Sequence, residues 1–281
     1  MQSCTGDCGD LWAVLTPRGW VAHEEYTLIL AALGLMLLVV IPAILMALGF
    51  AWKYRASNTA ARHDPHWEHS TAIEVVVWTV PALIVALLSY LVWTTTHTLS
   101  PYRPLDSPHA PLKVQVVAMD WKWLFLYPDQ GIATVNQLVI PTGVPVQFSL
   151  TSDSVMSSFF IPQLGGQIYA MAGMRTRLHL VADRPGVFQG YNTQFSGQGF
   201  YGMHFETVAA TEEGFRQWVE QARQGGQVLD MERFAVIEDP SVEDNPQWFT
   251  LAVPDLFERV LARYAPNLPH TPQAGSLPWK H

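Results

Sequence analysis

Cysteine is nearly missing from this chain: Cys4 and Cys8 stand in the first ten residues, and no other occurs among 281. A disulfide framework and any thiolate-bound metal are thereby excluded from everything downstream. Charge is scarce as well. Asp, Glu, Lys and Arg make up 14% of the residues against 49% hydrophobic, and mean hydropathy is +0.12. That balance implies membrane segments joined to a globular part. Positive charge is the scarcer sign, with 16 Lys and Arg against 24 Asp and Glu. Nothing in it argues for nucleic acid or an anionic membrane surface as partner. The first twenty residues also lack a basic stretch followed by an apolar run, so no signal peptide is read there. Either the sequence is a processed form, or its first apolar segment does the targeting.

Two long apolar runs are present. Residues 1–25 read as a polar, outward-facing N-terminal tail, and 26–96 as a transmembrane hairpin with spans at about 26–52 and 71–96. Each run exceeds the roughly 20 residues a helix needs to cross the hydrocarbon. Pro42 and Pro81 lie inside them, which membrane helices tolerate. The intervening loop carries Lys53, Arg55 and Arg62, whereas the outer flanks have only Arg18 and Arg103. The basic loop is therefore expected in the cytoplasm, with both termini outside. His63, His66 and His69 recur in that loop and read as solvated residues of an interfacial segment.

Thr71-Ala72-Ile73-Glu74 opens the second span as a capping box, in which Thr71 accepts from the Glu74 N–H. Glu74 is also an ionisable group about one turn inside a membrane helix, a position that marks a proton entrance. The two roles are compatible.

Beyond the spans, 97–111 is a linker carrying Pro101, Pro104, Pro108 and Pro111. Eight strands are expected, at 112–119, 122–127, 135–140, 146–151, 157–161, 176–182, 187–193 and 203–209, with turn residues between them. Short strands at this spacing predict an antiparallel Greek-key sandwich over 112–210. A C-terminal helical region and tail fill 211–281: Thr211 caps a helix to about 224, and helical pieces follow near 228–236 and 254–264.

Several local sequences then resemble one family. Phe50-Ala51-Trp52-Lys53-Tyr54-Arg55, Val77-Trp78-Thr79-Val80-Pro81, Met119-Asp120-Trp121-Lys122-Trp123, Ser158-Phe159-Phe160-Ile161-Pro162 and Gln167-Ile168-Tyr169-Ala170-Met171-Ala172-Gly173-Met174 look like subunit II of the haem-copper respiratory oxidases. They are most similar to the bacterial quinol (ubiquinol) oxidase branch. The likeness implies a two-helix hairpin plus an all-β cupredoxin-like domain, in a bacterial inner membrane with the domain on the periplasmic side. In the cytochrome c oxidase branch this domain holds a dinuclear copper (CuA) centre of two bridging Cys, two His, one Met and one backbone carbonyl, because soft sulfur and imidazole suit a copper electron-transfer pair.

Laid on this chain, the two His positions read Ser157 and Met203. The Cys positions read Phe195 and Gly199, the carbonyl position Gly197, and the Met position Glu206. His204 is one residue out of register, and in a strand one residue turns a side chain to the other face. No CuA centre is expected; Phe195, Gly199 and Phe200 are expected to plug the space with apolar bulk. Trp121 and Trp123, which match an aromatic pair near the electron entrance of copper-bearing relatives, are weighed here as core or interface aromatics.

The quinol branch implies more. Membrane quinol is the donor, and no docking of cytochrome c is expected. Haems, copper and the quinol site lie in subunit I, this chain binds no cofactor, and subunits III and IV complete a proton-pumping complex that reduces dioxygen to water. Glu74 falls at the entrance of the proton path called the K-channel. Relatives are often lipoproteins acylated on an N-terminal Cys, which makes Cys4 or Cys8 a candidate for lipid attachment. The alternatives are a membrane-anchored periplasmic β-sandwich binding module with no respiratory role, and a cytochrome c oxidase subunit with a degenerate copper site.

Overall fold

A computed structural model describes residues 10–60, 70–225, 227–242 and 245–264. Cys4, Cys8, Arg62, His63, His66 and His69 lie outside those residues. The chain divides into two units, one of residues 24–100 and one of the β domain with residues up to 23.

The first unit is two helices, α1 (Trp20–Lys53) and α2 (Thr71–Thr98). No charged residue interrupts α1 between Glu25 and Lys53, or α2 after Glu74. Between residues 24 and 100 no described side chain is buried. Helices apolar all round, with no core of their own, belong in lipid or against other membrane helices. Hydroxyls inside the apolar surface are satisfied locally: Thr94 Oγ1 donates to Tyr90 O at 3.0 Å and Thr95 Oγ1 to Leu91 O at 2.7 Å.

The expected capping box does not form. Ser70 is the N-cap, in extended conformation and with no side-chain cap bond. Glu74 N–H instead donates to Ser70 O at 3.0 Å as an ordinary helical bond. With the cap one residue earlier, Glu74 stands one position beyond the site from which a carboxylate reaches back.

In the second unit, α1 begins at Trp20 rather than at 26, and the expected polar tail is instead a strap on the β domain from residue 10 onward. A 3-10 turn (Asp10–Leu15) leads into it. Arg18 N–H donates to Gln163 O at 2.8 Å, Asp183 N–H to Arg18 O at 2.9 Å and Ala22 N–H to Leu164 O at 3.3 Å. Ala13, Val21 and Ala22 are buried. A Cβ on Gly19 would lie 2.3 Å from Val181 O, so this close approach requires glycine. Polar composition hid the strap because backbone bonds, not apolar side chains, hold most of it.

The domain is two sheets. The first runs β11-β12-β3-β2-β1-β5-β8, the second β4-β10-β9-β6-β7. Their strands are β1 (Leu112–Met119), β2 (Lys122–Tyr127), β3 (Ile132–Val135), β4 (Gln137–Pro141), β5 (Val146–Ser152), β6 (Ser157–Phe160), β7 (Ile168–Ala170), β8 (Thr176–Leu180), β9 (Gly186–Asn192), β10 (His204–Ala210), β11 (Gln227–Leu229) and β12 (Gln247–Leu251). Pairing is mixed, with β1–β5, β4–β10 and β11–β12 parallel, so the sandwich is not purely antiparallel.

The strand expected at 135–140 is two strands in different sheets. Asn136, at φ 55, is the crossing point. Its Oδ1 accepts from Trp123 N–H at 2.8 Å, its own N–H donates to Trp123 O at 2.9 Å, and its carbonyl accepts from Glu206 N–H at 3.1 Å. Asparagine tolerates the left-handed region and offers a side-chain acceptor, which is what the crossing uses.

Between the sheets lie Val114, Val116, Trp123, Phe125, Phe148, Phe159 and Phe205. On the other face of the first sheet, Val117, Met119, Leu124 and Leu126 meet Phe234 of α4 (Met231–Glu238) and Phe257 and Val260 of α5 (Leu256–Tyr264). Cover on both faces is why β2 is apolar without a break from Trp123 to Tyr127. Thr211 Oγ1 accepts from Gly214 N–H at 3.2 Å and caps α3 (Glu212–Gly225).

Candidate functional site

The residues laid on the copper positions lie around the loop between β9 and β10. That loop is shaped by Gly197 at φ 104 and by a 3-10 turn at Phe200–Gly202. Asn192, buried at the end of β9, is its centre. Its Oδ1 accepts from Ser158 N–H at 2.8 Å and Gln194 N–H at 3.1 Å. Its Nδ2 donates to Ser196 Oγ and to Met203 Sδ, each at 3.1 Å. Met203 is buried and Ser157 is buried at the head of β6, while Glu206 is half-buried on β10.

The expected plug is not what fills the space. Phe195 is 73% exposed and meets the Phe200 ring at 5.7 Å, outside the fold. The filler is Trp121, from the tight β1–β2 turn, where it adopts φ 64. Its Nε1 donates to Ser196 O at 2.9 Å. Its indole lies against Gly199 so closely that a Cβ there would come within 2.3 Å of Cδ2. Trp123, by contrast, is fully buried core, edge-on to Phe159 at 5.4 Å and to Phe205 at 5.7 Å. The placements of Trp121 and Asn192 were missed in the sequence. Their faint signal was a Gly-x-Gly loop with no bulky inward residue of its own, facing a Trp in a two-residue turn.

A dinuclear copper centre does not fit these residues. It needs thiolate sulfur and imidazole, whereas the positions offer a hydroxyl, an exposed phenyl, two glycines, a thioether already bonded to an amide, and one carboxylate. His204 faces out of the sandwich, exposed, while Phe205 faces in. Among the described residues no group of three His, Cys, Asp or Glu is placed to hold a metal.

Residues 129–205 match the family described as cytochrome c oxidase subunit II, periplasmic domain. The cytochrome bo(3) ubiquinol oxidase subunit 2 of Pseudomonas aeruginosa is 51% identical over 89% of this chain and 76% of its own length. The ubiquinol oxidase subunit 2 of Acetobacter aceti is 49% identical over 89% of this chain and 82% of its own. This chain belongs to the ubiquinol oxidase subunit 2 family.

Among solved structures, the periplasmic domain of subunit II of the cytochrome oxidase of Bradyrhizobium japonicum aligns with 41% of this chain and 96% of its own length, at 23% identity and TM-score 0.39. Nothing in the fold or in these likenesses favours a binding module without a respiratory role. The two apolar helices are a membrane anchor, and the loop at 193–203 is closed by the Trp121 indole and the Asn192 amide. Glu74, the other residue singled out from the sequence, sits in the first turn of α2 with its side chain exposed.

Proposed function

We propose that this chain serves as subunit II of a proton-pumping oxidase that takes electrons from membrane quinol and reduces dioxygen to water. The observation that carries the reading is the loop at 193–203, where Trp121 and Asn192 stand in place of soft metal ligands. Electrons from cytochrome c have no relay through such a loop. The kinship with ubiquinol oxidases over most of the chain supports quinol as the donor instead.

On this reading the haems, the active-site copper and the quinol site belong to subunit I, and subunits III and IV complete the assembly. This chain is a scaffold, with both termini and the β domain on the periplasmic side of the inner membrane and the 53–70 loop in the cytoplasm. Glu74 then stands at the cytoplasmic end of α2, where a carboxylate can pass protons into subunit I. Cys4 or Cys8 is the residue at which a lipid would be attached; intact mass of the purified subunit checks this.

Oxygen uptake by the purified complex tests the main reading. Quinol is expected to drive turnover and reduced cytochrome c is not. Turnover with cytochrome c, or purification of the chain without a haem-bearing partner, would overturn it.

A further inference from the structure

Where α4 and α5 close over the outer face of the first sheet, one cation stands between two carboxylates. Asp153 follows β5, with its side chain almost wholly buried. Glu238 ends α4, and Arg263 lies in the last turn of α5. Arg263 Nη1 is 3.4 Å from both Asp153 carboxylate oxygens and 2.7 Å from Glu238 Oε1. Tyr264 OH donates to Asp153 O at 2.6 Å, and the Arg263 guanidinium lies 5.4 Å from the Phe234 ring. Asp153 N–H donates to Ala118 O at 2.8 Å, which fixes its backbone to β1.

The surroundings are acidic. A cavity of about 320 Å³ is lined by Met119, Asp120, Asp153, Ala235, Glu238 and Asp239. Asp120, on the β1–β2 turn, accepts from Ser154 Oγ. Lys122 of β2 gives its ammonium to the carbonyls of Ile237 and Asp239 at 2.9 and 2.7 Å. Four carboxylates therefore face one guanidinium and one ammonium. Elsewhere on α5, Glu258 pairs with Arg175, just before β8, and Arg259 pairs with Asp255 at an exposed position.

We propose that Asp153, Glu238 and Arg263 form a proton-operated latch that holds the α4–α5 cover to the β domain more firmly in mild acid than at alkaline pH. A buried and a half-exposed carboxylate competing for one cation repel each other, and a proton on Asp153 removes that repulsion while Arg263 keeps Glu238. Burial first, and the Glu238 charge second, push the Asp153 carboxyl from 3.8 up to about 6, against the opposing pull of Arg263. The sign follows from the raised value. The docked state binds the proton more tightly than the undocked one, so this stabilisation is complete below about 3.8 and is lost as pH rises through about 6. Docking buries Leu256, Phe257 and Val260, so loosening would bare the outer face of the first sheet.

Hydrogen exchange of the α5 amides, measured on the full chain in detergent and corrected for intrinsic rates, tests the latch. Protection at about pH 5 is expected to exceed that at about pH 8 by roughly tenfold. In Asp153→Asn the dependence should vanish, with protection at the higher pH raised toward the acidic level. Arg259→Gln, which breaks only the exposed local pair with Asp255, should keep it. A pH-independent wild type, or a variant Asp153→Asn with the full dependence, overturns the proposal. Should that variant fail to fold, the carbon-13 shift of the Asp153 carboxyl in the wild type decides. A midpoint near 6 supports the latch, and one in the ordinary carboxylate range sinks it.

Discussion

If Trp121 closes the loop in place of a metal, the most sensitive atom to add is a methyl group on Gly199. Its Cβ would lie 2.3, 2.5 and 2.7 Å from Cδ2, Cγ and Cε3 of the indole, whereas carbon atoms rest about 3.5–4.0 Å apart. The ring must withdraw by about 1 Å or more. Overpacking of this kind costs about 1–3 kcal/mol. Withdrawal also strains or breaks the 2.9 Å bond from Trp121 Nε1 to Ser196 O, about 0.5–1.5 kcal/mol. The backbone itself does not object, since Gly199 has φ −90 and ψ 8. Alanine there would return about 0.4–1 kcal/mol through the unfolded chain. The net expectation for Gly199→Ala is a loss of about 2 kcal/mol, read as a lower urea midpoint in near-ultraviolet circular dichroism of the full chain in detergent. The Trp121 indole N–H resonance should move with it. The decisive measurement is a double-mutant cycle with Trp121→Ala, which removes the obstacle. A coupling of about 1–2 kcal/mol is expected, and a coupling below about 0.5 kcal/mol would refute the claim that the indole fills the space.

Two further expectations are cheaper to examine. Glu74→Gln and Glu74→Ala should slow proton uptake during reduction of the intact oxidase while leaving assembly unchanged, because no capping bond depends on the carboxylate; wild-type turnover and proton uptake in both would remove Glu74 from any proton path. Gly19→Ala places a Cβ 2.3 Å from a backbone oxygen, Val181 O, which cannot swing aside as a side chain can. The strap should lift, and trypsin should then cut after Arg18 in the variant while sparing the wild type; equal resistance would mean that the strap is held elsewhere.

How much was legible follows from what each feature depends on. The spans were visible because lipid demands a long uncharged run, and composition alone reports it. β1 and β2 were placed at their observed limits because turn residues bracket a stretch that begins with alternation at 112–119 and a mostly apolar one at 122–127. The break at Asn136 was not, since an apolar run through 135–140 looks the same whether it stays in one sheet or crosses to another. Only a left-handed residue marks the crossing, and asparagine is common outside that role. The ends of the domain were harder still. The strap at 10–23 and the strands β11 and β12 are held by backbone bonds to partners far along the chain, and a local pattern cannot report a distant acceptor.

The loop at 193–203 shows the same limit from the other side. Laying the family's copper pattern on the sequence put a residue type at each ligand position, because absent thiols and imidazoles are facts about residue types. Replacing ligands by phenylalanine suggested that phenylalanine fills the vacated space, yet Phe195 turns outward and the filling comes from Trp121, more than seventy residues away by chain. The two residues lie in different loops, Phe195 between β9 and β10 and Trp121 between β1 and β2. A metal ties a loop together from within. Once its ligands go, the four bonds of Asn192 and the indole stacked on Gly199 must fix the turn instead. The turn is therefore ordered by Asn192 and Trp121, so placing a single cysteine or histidine in the loop without moving Trp121 should lower the urea midpoint before it binds any metal.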